Sequence, residues 1–69
     1  MTHAEMESLV RDVCIHYGFP FEVVSVAASP AGWTVSVRGR TDRTVVFTVP
    51  HGRPLAMRVA IQERLQAES

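Results

Sequence analysis

From Gly32 to Pro50 the chain reads GWTVSVRGRTDRTVVFTVP, and apolar and polar positions alternate along most of it. Trp33, Val35 and Val37 fall on one side of an extended strand and Thr34, Ser36 and Arg38 on the other. The pattern returns with Val45, Phe47 and Val49 opposed to Thr44, Val46 and Thr48, nearly all β-branched or aromatic types suited to a pleated, half-buried surface. Gly39-Arg40-Thr41-Asp42-Arg43 lies between. Gly39 is free to take a positive φ and Asp42 to hydrogen-bond nearby backbone, so the segment predicts a hairpin with one apolar face. In so short a chain only flanking helices supply a cover for that face.

Helical spacing appears on both flanks. Over residues 2 to 17, Met6, Leu9, Val10, Val13, Cys14 and Tyr17 recur every three or four positions and form one stripe. Thr2 and Glu5 have the spacing of a capping box, and Gly18 followed by Pro20 supplies a stop. FEVVSVAA, from Phe21 to about Ala28, predicts a first strand with Val24 and Val26 inward. Ser29-Pro30-Ala31-Gly32 is a compact turn into the Trp33 strand. Pro54 suits the first position of a second helix reaching about Gln66. Met57, Ala60, Ile61 and Leu65 make its core stripe, while Leu55 and Val59 form a second apolar pair outside it. Either that helix is wedged between the sheet and the first helix, or part of it meets another molecule.

The order predicts an α+β fold, αβββα: a three-stranded antiparallel meander with both helices on one face, in a single domain spanning residues 1–69. The opposite sheet face, with Thr34, Ser36, Arg38, Thr44, Val46 and Thr48, is left open to water or a partner. With 69 residues of which 46% are apolar, the chain has enough for a folded core but a small one, and dimerisation would add burial.

Charge changes the picture through its distribution. Seven arginines and no lysines balance seven acids, so net charge gives no general attraction to nucleic acid or membrane. Yet Arg38, Arg40, Arg43, Arg53 and Arg58 stand against Asp42 alone between residues 38 and 58, while Glu5, Glu7, Asp12 and Glu22 outnumber Arg11 before them. A third strand of six residues puts about 20 Å between Arg38, Arg40 and Arg43 at one end and Arg53 at the other. The free N–H groups at the second helix start, beside Arg53 and His51, make a candidate anion site. The three arginines at the hairpin loop act either as a solvated guard against sheet-edge pairing or as a partner contact.

Other side chains carry less chemistry. Cys14 lies on an apolar stripe and reads as a buried, inert thiol; His16, two positions on, points about 200° away from it. His3, His16 and His51 lack metal-ligand spacing. Trp33 reads as core or rim before a stacking platform. No glycine-rich phosphate loop, facing carboxylate pair or activated serine appears, so the expectation is a non-enzymatic module without cofactor, metal or small-molecule substrate. A lone cysteine favours the cytoplasm. Glu5 and Glu7 stand where a secretion signal carries positive charge, and no apolar run is long enough to span a bilayer.

With its first helix closing on Gly18 and Pro20, its FEVVSV, WTVSVRG and TVVFTV strands, and a last helix entered through His51-Gly52-Arg53 and carrying Ala56 and Ala60, the chain resembles the double-stranded-RNA-binding domain from about Leu9 to Leu65. The resemblance implies RNA phosphates met by basic residues at the start of the second helix, and the minor groove met by the first helix and the first hairpin loop. Of the family's basic cluster, only Arg53 and Arg58 have counterparts here. Two function classes follow: nucleic-acid contact through Arg53, Arg58 and His51 with Arg38, Arg40 and Arg43, and protein interaction or self-association through Leu55 and Val59 or the open sheet face.

Overall fold

A computed structural model describes residues 1–69. Helix α1 spans His3–Tyr17, strands β1, β2 and β3 span Glu22–Ser29, Gly32–Arg38 and Thr44–Val49, and helix α2 spans Pro54–Glu68. The strands form one antiparallel sheet in the order β1-β2-β3, so the predicted αβββα meander is the observed one.

Local chemistry sets the ends of α1. The Thr2 N–H donates to Glu5 Oε1 at 2.8 Å while the Glu5 N–H donates to Thr2 Oγ1 at 3.1 Å, the reciprocal pair that satisfies two donors at a helix start. At the other end Gly18 adopts φ 69°, and the Phe19 N–H reaches the Cys14 carbonyl at 2.9 Å. Helix α2 begins with Pro54 in its first turn but without a side-chain cap, and runs two residues past the predicted Gln66.

Met6, Val10, Val13 and Cys14 of α1, Met57, Ile61 and Leu65 of α2, and Trp33, Val35, Val37, Val45, Phe47 and Val49 of the sheet belong to one buried cluster. Both helices therefore cover the same sheet face, and α1 lies chiefly on β1 while α2 lies on β3. The exposed face carries Arg38, Thr44, Val46 and Thr48, with Thr34 and Ser36 half-covered.

Four local expectations change. Val24, predicted inward, is 48% exposed, because a bulge between Val23 and Ser25 inserts a residue and shifts the alternation. Val26, opposite Val35, remains buried and Val23 packs on the core. Tyr17, placed on the α1 stripe, is 48% exposed; its ring stacks on Phe19 at 5.6 Å instead of entering the core. In the second hairpin loop Asp42, not Gly39, takes the positive φ, at 60°. The Asp42 N–H bonds to the Gly39 carbonyl and the Gly39 N–H to that of Arg43, a three-residue loop in which the last residue is left-handed. Finally, α2 meets both α1 and β3 as a wedged helix would, but through one stripe alone: Leu55 and Val59 are 73% and 44% exposed, so that packing does not bury the second apolar pair.

Candidate functional site

The arginines named from the sequence do not assemble into one surface. Arg38 ends β2 opposite Thr44, and Arg40 and Arg43 flank the loop, all exposed. Arg43 Nη2 stands 3.3 Å from Glu68 Oε2, and Arg64 Nη2 stands 3.6 Å from Glu68 Oε1. One carboxylate at the end of α2 is thus shared by two guanidiniums, in a setting exposed enough that each pair contributes less than about 1 kcal/mol. Beside them a recess of about 210 Å³ is lined by Phe21, Gly39, Arg40, Thr41 and Arg43.

At the far end of β3, Arg53 is the N-cap of α2, with no side chain bonded to the free N–H groups and no acid in the first turn. Arg53 is exposed, and Arg58, one turn along, is half-buried. His51 leaves this group. Its Nε2 lies 2.7 Å from the Ser29 carbonyl, so the ring reaches back across the sheet end to the first hairpin and donates there. Gly32 explains the closeness: it adopts φ 148°, and a Cβ on it would stand 2.2 Å from the Val49 carbonyl oxygen.

The remaining singled-out residues have structural surroundings. Trp33 is 4% exposed, with the His3 ring edge-on at 5.3 Å. Cys14 is buried, and that burial pushes its thiol pKa up, away from the nucleophilic thiolate. His16 packs edge-on against Tyr17 at 4.7 Å. Histidine, cysteine and carboxylate side chains nowhere converge in threes.

What the sequence reading missed is the edge of the sheet. Strand β3 has β2 on one side and no strand on the other. The Gly39 N–H bonds to the opposite Arg43 carbonyl, and Val37 pairs with Val45, Val35 with Phe47 and Trp33 with Val49 in the same register. Hydrogen-bonded and non-bonded pairs alternate in an antiparallel ladder, so Thr44, Val46 and Thr48 turn their N–H and C=O groups away from β2. Their side chains are all exposed, Val46 at 56%. The signal was present in the sequence as TVVFTV, a run without charge, proline or glycine.

No family model matches this chain, and no curated protein or solved structure does. The α-β-β-β-α arrangement with its three-stranded antiparallel sheet is compatible with a fold like that of the double-stranded-RNA-binding domain. No helix is long and apolar enough to cross a membrane.

Proposed function

We propose that this chain is a non-enzymatic module that acts by contact with another polypeptide. The observation that carries the reading is the apolar surface left over once the core is complete: Leu55 and Val59 on the outer side of α2, and Val46 on the open sheet face. A chain this small gains stability from every apolar side chain it buries, so a second apolar pair left outside a filled core marks a surface for something else. A buried, unpaired Cys14 suits a reducing compartment, which supports the cytoplasm as its location.

The test is recovery of whatever co-purifies with the tagged protein from its native source, sorted into polypeptide and nucleic acid, beside a Leu55→Asp, Val59→Asp variant. The reading expects one polypeptide recovered with the parent protein. Nucleic acid alone, or a polypeptide set identical to that of an unrelated control protein, refutes it.

A second reading is favoured by the uncapped α2 start. Free N–H groups, the helix dipole and Arg53 together attract a phosphate, and Arg58 lies one turn on, as the resemblance to the double-stranded-RNA-binding domain implies. It expects short duplex RNA to bind in the range of tens of micromolar or tighter, with a marked loss between about 50 and 200 mM salt and on Arg53→Glu. Salt-insensitive or absent binding removes it.

A further inference from the structure

We infer that the free edge of β3 receives an extended peptide with a β-branched centre and acidic ends, added as a fourth strand. The inference rests on the polypeptide-contact reading and names the partner and the place. Three observations converge. First, Thr44, Val46 and Thr48 present a row of unpaired backbone donors and acceptors, the template on which strand addition works. Second, the other sheet edge is blunted where this one is not: β1 carries the bulge at Val24, whereas the β3 register against β2 runs unbroken from Thr44 to Val49. Third, the two arginine groups that are too far apart to make one phosphate patch bracket this strand, with Arg38, Arg40 and Arg43 before it and Arg53 after it.

Charge decides between occupants. A second copy pairing antiparallel through β3 would centre on Val46 and bring the loop arginines of each copy beside Arg53 of the other. Glu68, already shared between Arg43 and Arg64, Asp42 and Glu22, which faces Arg38 across the sheet, offset the loop arginines in part, and Glu5 and Asp12 of α1 share a recess with Pro54 beside Arg53. Like charges at both ends oppose that pairing, and the same charges attract an incoming strand with acids at its ends. The separation of about 20 Å matches a partner core of about six residues. The arginines thus protect the edge from self-pairing and select what docks on it.

The probe is a fluorescein-labelled peptide, Asp-Asp-Thr-Val-Thr-Val-Thr-Asp-Asp, compared with versions ending in serine and in lysine. Anisotropy should show saturable binding of the acid-ended peptide, about tenfold tighter than the lysine-ended one and weakening as salt rises. Amide spectra should show shifts and slowed hydrogen exchange at Thr44, Val46 and Thr48. Val46→Pro removes one outward donor and leaves the ladder to β2 intact, and it should weaken binding about fivefold or more. Should that variant unfold, Arg43→Glu with Arg53→Glu, both on exposed side chains, should invert the preference among the three peptides.

No binding of the acid-ended peptide up to about 1 mM, a thousandfold weaker than a micromolar contact, overturns the inference. Equal binding of all three peptides overturns it too. A natural partner whose retention depends on Leu55 and Val59 but not on Val46→Pro also overturns it, and leaves the broader polypeptide reading standing. Sedimentation that shows self-association abolished by Val46→Pro assigns the edge to a second copy and overturns the acidic partner.

Discussion

Replacing Gly32 with alanine should be the most damaging single-methyl change in this chain. The added Cβ meets the Val49 carbonyl oxygen at 2.2 Å and the Pro50 Cα at 2.9 Å, and both are backbone atoms that no rotamer change can move. The residue also sits at φ 148°, outside the ordinary regions for a side-chain-bearing residue, a strain of about 1–3 kcal/mol. Relief requires the start of β2 to part from the end of β3, where Trp33 pairs with Val49, and a lost ladder bond costs about 1 kcal/mol more. The total is about 2–4 kcal/mol, against about 3–10 kcal/mol for the stability of a domain of this length. Urea unfolding followed by Trp33 fluorescence should show the midpoint falling by about 2 M or more at a slope of ~1 kcal/mol per M. Two controls separate the causes. Gly18→Ala has open space but φ 69°, and should cost about 1 kcal/mol; Gly52→Ala has neither problem and should stay within about 0.5 kcal/mol. A Gly32→Ala midpoint within about 0.5 M of the parent protein, with an unchanged slope, would refute the reasoning.

Leu55→Asp with Val59→Asp should leave thermal stability within about 0.5 kcal/mol of the parent, whereas Ile61→Ala, on the same helix but fully buried, should cost about 2–5 kcal/mol by calorimetry or urea unfolding. Thr2→Ala should lose the N-terminal cap of α1, about 1 kcal/mol by the same assay. Glu5 has its pKa lowered by hydrogen bonds from the Thr2 backbone N–H and then the Thr2 hydroxyl, so its contribution is present above the unfolded carboxylate value of about 4.3 and fades as pH falls through the lower folded value. Melting temperatures from pH 6 to pH 2 should therefore drop less steeply in Glu5→Gln. Cys14, its pKa raised by burial, should resist iodoacetamide in the folded protein and react on unfolding. The stability from keeping it neutral is whole below about pH 8.5 and is lost as pH rises through the folded value, a loss that Cys14→Ser should lack.

Much of the fold is written in local pattern. Alternation from Trp33 to Val49 settles two strands and their inner face, because period two leaves no other surface for those side chains. Thr2 with Glu5, Gly18 and Pro54 set three helix ends through bonds that form within a few residues. The bulge at Val24 was not legible: β1 is valine-rich on both faces, and only its register against β2 shows where the extra residue enters. Nor was the turn of His51 to Ser29, since 22 residues separate them and only the closed sheet brings them together. The sequence alone also places five arginines between residues 38 and 58, but spacing along a chain does not say what lies between them in space. Tertiary structure decided that: packing both helices on one face uses up the inner side chains, puts Leu55 and Val59 outside, and leaves β3 as an edge with its arginines at either end. Hydrogen bonds within one element are fixed by neighbours in sequence, whereas an unpaired edge exists only once the other strands have chosen their places.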